Sequence, residues 1–202
     1  IMNYIIKSAI IGDYGVGKTS IVSRYTNDRY YEGESPTLGV DFLHKIIDYK
    51  ENKYKLQIWD TAGQEKFESI VKSYIRDLNA CILVFDVNCN VSFQRIKKWM
   101  TDIEYIVENP IYMCLVGSKT DLGLREVSDE DIKKFCDENN LDYMECSAKN
   151  SENINSIFLN LIQKIDSMVL KNEILLRSFG DFSIKQNSFE NNKIKEKCCI
   201  IS

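Results

Sequence analysis

Short apolar runs recur along the first 150 residues of the chain. They are YIIKSAII (4–11), ACILVFDV (80–87), IYMCLVGSK (111–119) and LDYMECSA (141–148). Runs of this length between polar or glycine-containing segments predict β-strands. The apolar character of residues 80–87, in which Asp86 is the one polar residue, further predicts a strand that is buried on both faces of a sheet.

A different kind of strand is predicted between residues 40 and 59. YKLQIW (54–59) alternates apolar and polar residues, which is the pattern of a half-buried strand. VDFLHKIID (40–48) precedes it, and residues 50–52 between the two segments favour a turn. We therefore expect a hairpin here.

Helical periodicity fills the intervals between the strands. Residues 18–26 follow the first strand, and apolar residues recur at helical spacing in 92–107 and 154–168. Ser128, followed three residues later by Asp131, predicts the start of another helix. Because strands alternate with helices, we expect an α/β fold with a mostly parallel sheet and helices on both faces.

The regular pattern ends near residues 169–172. The remaining segment is rich in Asn, Lys and Glu and lacks sustained periodicity, so it predicts a flexible linker. We therefore divide the chain into a folded domain, residues 1–170, and a flexible tail, residues 171–202. The tail carries six basic and four acidic residues, whereas the whole chain of 202 residues has a net charge of −4.

Composition narrows the classes of function. A net charge of −4 argues against a general affinity for nucleic acid. The first twelve residues lack the basic start of a secretory signal, and no apolar run approaches the ~20 residues that span a bilayer. Five of the seven cysteines show no metal-binding spacing, which favours a reduced cytosolic protein. These five are Cys81, Cys89, Cys114, Cys136 and Cys146.

The segment GDYGVGKT (12–19) fits the pattern G-x-x-x-x-G-K-[ST] between a predicted strand and a predicted helix. Its glycines allow successive backbone N–H groups to point at phosphate oxygens, and the helix offers its positive end. Lys18 can reach the terminal phosphates, and the hydroxyl of Thr19 can bind Mg²⁺. The expected phosphate site consists of Gly12, Asp13, Tyr14, Gly15, Val16, Gly17, Lys18, Thr19 and Ser20.

WDTAGQE (59–65) ends the half-buried strand with an acidic residue and a small-residue turn. We expect Asp60 to hold a Mg²⁺-bound water and the Gly63 N–H to meet a γ-phosphate. Gln64 is the expected catalytic residue because its amide can orient an attacking water.

Two further motifs at strand ends favour guanine as the base. Asp121 of SKTD (118–121) can accept hydrogen bonds from the N1–H and the N2 amino group of guanine, a donor pair that adenine lacks. Ala148 of SAK (147–149) can donate its N–H to guanine O6. Both motifs follow predicted strands, and the carboxyl ends of parallel strands are where such sheets bind ligands.

With these four motifs in this order, the chain resembles the Rab family of Ras-like small GTPases over roughly residues 3–170 and at its last residues. TLGVDF (37–42), KLQIW (55–59), KFESI (66–70) and LVFDV (83–87) are similar to segments of that family. The resemblance implies a P-loop NTPase fold of the small-GTPase type. Its sheet would be mostly parallel and six-stranded, with one antiparallel strand.

The resemblance also implies roles for individual residues. Thr37 would bind Mg²⁺ and the γ-phosphate in the GTP state only, and residues 30–42 and 62–78 would be the two switch regions. Around the base, Tyr30 would lean on guanine, Lys119 would pack along it and Ser147 would support Asp121, with Ser118 and Lys149 in the same two motifs. The expected effector surface is Phe42, Trp59 and Tyr74.

The chain departs from the family at three places. Tyr14 stands where Rab proteins usually have serine and Ras has glycine; we expect it to crowd the space of Gln64 and an incoming arginine, unless its ring turns to solvent. Ser118 replaces the asparagine that ties the base loop to the phosphate loop, so we expect weaker nucleotide binding and faster GDP release. SYIRDLNA (73–80) differs through Ile75, Asp77 and Leu78, which weakens the transfer of known switch II partners.

The chain ends in KEKCCIIS, in which Cys199 begins a C-a-a-X pattern and Cys198–Cys199 resembles the Rab double-cysteine ending. One lipid gives marginal membrane binding and two anchor stably. The pattern leaves open whether farnesyl or geranylgeranyl groups are attached, and whether one or two. Lys193, Lys195 and Lys197 could add attraction to an anionic surface.

The sequence therefore predicts a membrane-anchored GTP/GDP switch with Mg²⁺ as its cofactor, which hydrolyses GTP slowly and recruits effectors in vesicle traffic. The resemblance implies a monomer that meets effectors, an exchange factor, a GTPase-activating protein and a GDP-dissociation inhibitor or escort protein. It would reside on the cytoplasmic face of an intracellular or plasma membrane, with a cytosolic pool. One alternative is a largely GTP-bound recruitment platform whose hydrolysis is impaired by Tyr14; another is an ATP-using P-loop kinase, which SKTD and SAK disfavour.

Overall fold

The computed structural model describes residues 2–33, 40–61 and 75–179. The strands are β1 (Asn3–Ile11), β2 (Val40–Tyr49), β3 (Asn52–Thr61), β4 (Ala80–Asp86), β5 (Tyr112–Ser118), β6 (Asp142–Glu145) and β7 (Arg177–Ser178). They form one sheet in the order β2-β3-β1-β4-β5-β6, with β7 beside β1. The expected α/β class with a mostly parallel sheet is confirmed.

The predicted antiparallel strand is β2, which pairs with β3 from Val40 opposite Thr61 to Tyr49 opposite Asn52. This is the predicted hairpin, and Lys50 in its turn has a positive φ of 52°. The predicted alternation of apolar and polar residues in β3 is also confirmed, because Tyr54, Leu56 and Ile58 are fully buried.

The described helices are α1 (Lys18–Asn27), α2 (Asn90–Gln94), α3 (Ile96–Ile106), α4 (Asp129–Asn139) and α5 (Ile154–Leu170), with a 3-10 turn at Thr120–Leu122. Ser128 caps α4, since its hydroxyl accepts a hydrogen bond from the Asp131 N–H. The start that the sequence predicts for this helix is therefore confirmed.

Helices cover the sheet on both faces, and each face has its own apolar core. One cluster contains Ile21 of α1 and Phe158 of α5. The other contains Ile96 and Ile103 of α3 and Ile132 of α4. This two-sided burial explains why β4 is apolar from Ala80 to Phe85 and buried at every position.

The departures Ile75 and Leu78 belong to the second cluster, because both are almost completely buried. Asp77 between them is exposed, and its Oδ2 lies 3.8 Å from Arg177 Nη2. Within residues 75–78, two of the three unusual side chains thus serve packing.

The carboxyl end of the domain differs from the sequence prediction. Helix α5 ends at Leu170 as expected, but the chain then returns to the sheet, where β7 pairs antiparallel with Tyr4 and Ile5. Because β4 pairs only with residues 8–11 of β1, the amino-terminal half of that edge is open to β7. The flexible tail predicted from residue 171 is therefore corrected for residues 171–179. The described residues form seven strands instead of the predicted six, and two of them, β2 and β7, run antiparallel to their partners instead of one. Residues 180–202 lie outside the described part.

Ile174 anchors this returning segment, since the residue is 6% exposed and belongs to the apolar cluster that contains Phe158 of α5. The Phe179 N–H then donates a 3.0 Å hydrogen bond to Asn3 O. Among the described residues, no helix combines the length and the apolar character needed to cross a membrane.

Candidate functional site

The phosphate-loop pattern forms a tight turn between β1 and α1. Gly12, Gly15 and Gly17 have φ angles of 155°, 76° and 94°, a region that side chains disfavour. At Gly12 a Cβ atom would lie 2.1 Å from Val84 O, so this position has no room for another residue. Gly17 is the N-cap of α1, which leaves the first N–H groups of the helix without a capping side chain.

Lys18 is held inside this turn. Its Nζ donates hydrogen bonds to Gly12 O at 2.9 Å and to Asp13 O at 2.8 Å, and the residue is 5% exposed. Burial lowers the pKa of Lys18 to about 8, although the carboxylates of Asp60 and Asp13 act in the opposite direction. A phosphate group at this position would favour the charged ammonium and so bind more tightly.

The residues expected to meet a metal ion lie beside this lysine. Thr19 is the second residue of α1, and Asp60 is 1% exposed near the carboxyl end of β3. A buried carboxylate and a hydroxyl are oxygen ligands of the kind that Mg²⁺ prefers, so the described part of the site fits this ion. The third expected ligand, Thr37, lies outside the described residues.

The residues expected to recognise the base meet between β5 and β6. Ser147, which is fully buried, donates a 2.6 Å hydrogen bond from its hydroxyl to Asp121 Oδ1. Lys119 Nζ lies 2.8 Å from Asp86 Oδ2. These two contacts fix the orientation of both side chains without a ligand, which reduces the entropy that binding would cost.

A cavity of about 230 Å³ joins the phosphate loop to this base site. Its lining combines the sequence-predicted residues Gly17, Ser20, Tyr30, Ser118, Lys119, Asp121, Ala148 and Lys149. At the rim, Lys149 Nζ pairs with Glu32 Oε1 at 3.1 Å. Residues that the sequence assigns to two separate tasks therefore share one cleft.

A larger cavity of about 540 Å³ lies by the returning segment and β1. It is lined by residues such as Lys7, Asp77 and Arg177, and none of the residues expected to bind nucleotide contributes to it. The size of a cavity therefore does not identify the candidate nucleotide site. This site is identified by the convergence of phosphate-loop amides, Lys18 and Asp121.

Ser118 makes a contact that was not predicted from the sequence. Its Oγ lies 2.6 Å from Val16 O in the phosphate loop and 2.8 Å from Phe85 O, and the residue is 2% exposed. The expectation that serine loses the tie between base loop and phosphate loop is therefore wrong. A hydroxyl has one proton and can serve only one of the two carbonyls at a time, whereas an amide has two.

Replacing Ser118 with alanine is expected to speed GDP release roughly two- to tenfold, because one net hydrogen bond of about 0.5–1.5 kcal/mol is lost. A chase of fluorescent GDP by unlabelled GDP measures this rate. Ser118→Asn is the companion variant, and a slower release than in the unmodified protein would show that one hydroxyl is the weaker tie. An unchanged rate in Ser118→Ala would contradict the role of this contact.

Several residues of the site were not predicted from the sequence. Asp86 accepts hydrogen bonds from the backbone and the side chain of Asn88, both at 2.9 Å, besides pairing with Lys119. Arg24 Nε donates to Ala148 O at 2.9 Å and so connects α1 to the base loop. Asp86 could have been found, because it ends an apolar strand at the same edge of the sheet as Asp60 and Ser118.

The described part of the expected effector surface lies on the hairpin. Phe42 and Trp59 are opposite each other in the β2–β3 register, with ring centroids 4.8 Å apart. Phe42 is 41% exposed, so a partner could reach it. The other expected residues, Gly63, Gln64, Tyr74, Cys198 and Cys199, lie outside the described part of the chain.

Comparison with known proteins gives consistent matches. Residues 7–167 match the model of the Ras family. The chain is 41% identical over 174 residues to the human Ras-related protein Rab-30, and the match covers 86% of each chain. It is 35% identical over 196 residues to the Ras-related protein SEC4 of Saccharomyces cerevisiae, covering 96% of this chain and 91% of that one. It is also 35% identical over 199 residues to the GTP-binding protein ypt1 of Schizosaccharomyces pombe, covering 98% of both.

Proposed function

Because the chain belongs to the Rab family of Ras-like small GTPases, and is therefore a GTP hydrolase of vesicle trafficking, we propose that it acts as a Mg²⁺-dependent, membrane-anchored switch. In this proposal it hydrolyses GTP slowly and recruits effectors in the GTP state. The observation that carries the proposal is the prearranged guanine site, in which Ser147 holds Asp121 beside the cleft that leads to Lys18.

The binding steps follow from the residues of the cleft. The N–H groups of the phosphate loop and the Lys18 ammonium would hold the phosphates. Asp121 would accept two hydrogen bonds from guanine, and the Ala148 N–H would donate to O6. When bound, Mg²⁺ neutralises charge on the β- and γ-phosphates, and Thr19, Thr37 and Asp60 are the residues that would hold it directly or through water.

The hydrolytic and switching steps involve residues outside the described part. Gln64 would orient the attacking water, while the Gly63 N–H and the Thr37 hydroxyl would be held by the γ-phosphate side of the nucleotide. Loss of that phosphate would release residues 30–42 and 62–78. Effectors would read this difference through Phe42, Trp59 and Tyr74.

Membrane attachment would come from lipids on Cys198 and Cys199, with the basic tail adding attraction to an anionic surface. A monomer of this kind would alternate between the cytoplasmic face of a membrane and a cytosolic pool. An exchange factor, a GTPase-activating protein and a GDP-dissociation inhibitor or escort protein would control that cycle.

The second candidate is a largely GTP-bound recruitment platform with impaired hydrolysis. Tyr14 favours it, because a large side chain stands in the phosphate loop and is 60% exposed, free of the core packing that would hold it away. The ratio of the GTP hydrolysis rate to the nucleotide release rate separates the two candidates. A platform would release GTP before it hydrolyses it.

Competition binding tests the proposed site. Displacement of fluorescent GDP should need similar concentrations of GTP and GDP but roughly 10³-fold more ATP, because a site built for hydrogen bonds rejects a base that cannot make them. Removal of Mg²⁺ with EDTA should speed GDP release. Equal displacement by ATP would contradict the guanine assignment, and an unchanged release rate in EDTA would contradict the metal assignment.

A further inference from the structure

The phosphate loop carries a negative charge where an anion is expected to bind. Asp13 is the second residue of the loop, and its side chain is only 12% exposed. Each of its carboxylate oxygens has a donor from the same helical region: Trp99 Nε1 lies 2.9 Å from Oδ1, and Arg95 Nη1 lies 3.1 Å from Oδ2.

The two donors are arranged as a pair. Arg95 is the N-cap of α3, and Trp99 lies one turn later, with its backbone N–H bonded to Arg95 O at 3.2 Å. Their side chains therefore leave the same face of the helix and reach the same carboxylate. Trp99 packs against the second apolar cluster, which fixes its ring, whereas the Arg95 side chain is 56% exposed.

An uncompensated carboxylate at this place would oppose the binding of phosphates, since like charges repel strongly where water is excluded. The same residue is also useful, because its backbone oxygen accepts a hydrogen bond from Lys18 at 2.8 Å. Tight phosphate binding therefore requires that the Asp13 backbone stay in place and that the charge of its side chain be balanced.

We propose that Arg95 and Trp99 are positioning residues of the phosphate site, which hold the Asp13 carboxylate and balance its charge so that the loop binds nucleotide tightly. This inference rests on the proposed nucleotide-binding function of the same cleft. Trp99 supplies a fixed neutral donor, and Arg95 supplies the positive charge. The amino-terminal end of α3 thereby acts on the affinity for GDP and GTP without touching the nucleotide.

The experiment measures GDP release from Mg²⁺-loaded protein with fluorescent GDP. Arg95→Met should speed release on the order of five- to tenfold, because a charge-assisted hydrogen bond is lost and a carboxylate is left unbalanced. Arg95→Lys should restore most of the slow release, and Trp99→Phe should speed release several-fold. Lys98→Met is the matched control, since it removes one positive charge from an exposed position of the same helix and should change the rate less than twofold.

A double-mutant cycle separates charge balance from a general structural effect. In an Asp13→Asn background, Arg95→Met should change the rate less than twofold, because no carboxylate remains to be balanced. Raising the salt concentration should shrink the effect of Arg95→Met in the unmodified background.

Equal rates for Arg95→Met and Lys98→Met would overturn the proposal, and so would an equally large effect of Arg95→Met in the Asp13→Asn background. Unmodified protein that bound no guanine nucleotide would instead overturn the proposed function. If Arg95→Met did not fold, the GDP release rates of Arg95→Lys and Trp99→Phe would still test the proposal. A Trp99→Phe rate equal to that of the unmodified protein would contradict the role of the Trp99 donor.

Discussion

Replacing Asp121 with asparagine is expected to lower the affinity for GDP and GTP by roughly 10²–10³ and to create affinity for xanthosine nucleotides. In the proposed site the carboxylate would accept hydrogen bonds from N1–H and the N2 amino group of guanine, whereas an asparagine amide would place a donor opposite that amino group. Xanthine has a carbonyl oxygen at this position, so the variant would match it. The Ser147 hydroxyl bonds Oδ1, an oxygen that asparagine retains, and the side chain should therefore keep its orientation.

Displacement of fluorescent GDP and of fluorescent xanthosine diphosphate measures this change in specificity. Asp137→Asn is the matched control, because it removes a carboxylate from an exposed position on α4, and it should bind GDP like the unmodified protein. An Asp121→Asn variant that still preferred GDP would contradict the assignment of this residue to the base.

The second large effect is expected at Tyr14. Replacing it with serine should raise GTP hydrolysis stimulated by a Rab-directed activating protein at least ~10-fold, because an arginine supplied by such a protein contributes ~10³–10⁵ in rate when the space beside the γ-phosphate is open. The Tyr14 ring is 60% exposed, so no core contact would resist its lying over this space. Hydrolysis without the activating protein should rise less.

Single-turnover hydrolysis of radiolabelled GTP, with and without the catalytic domain of the activating protein, measures both rates. Tyr105→Ser is the control, because Tyr105 is an 88% exposed tyrosine on α3. Equal stimulated rates for Tyr14→Ser and the unmodified protein would show that the ring stays in solvent. They would also remove the main support for the GTP-bound platform.

The sequence predicted those parts of the fold and site that depend on local pattern. Most of the apolar run at 80–87 became the fully buried strand β4, and the glycines of residues 12–17 adopt positive φ angles that side chains disfavour. Lys18 and Asp121 were found because the spacing of their motifs already encodes the turn that places them.

Contacts between distant segments could not be predicted, and one physical reason applies to all of them. Ser118 reaches Val16 across 102 positions of the sequence, and Arg95 reaches Asp13 across 82. No local periodicity reports such pairs, because they depend on how β1, β5 and α3 pack. The return of residues 171–179 to β1 was also hidden, since a two-residue strand is too short to show alternation.

In the proposed switch, the outermost phosphate of a bound guanosine nucleotide decides the conformation of residues 30–42 and 62–78. Hydrogen–deuterium exchange of the Mg²⁺-loaded protein, with GDP in one sample and a non-hydrolysable GTP analogue in the other, measures this conformational difference. We expect slower exchange with the analogue in residues 30–42 and 62–78, and unchanged exchange in β4 and β5. Identical exchange of those two segments in both samples would contradict the proposed switch.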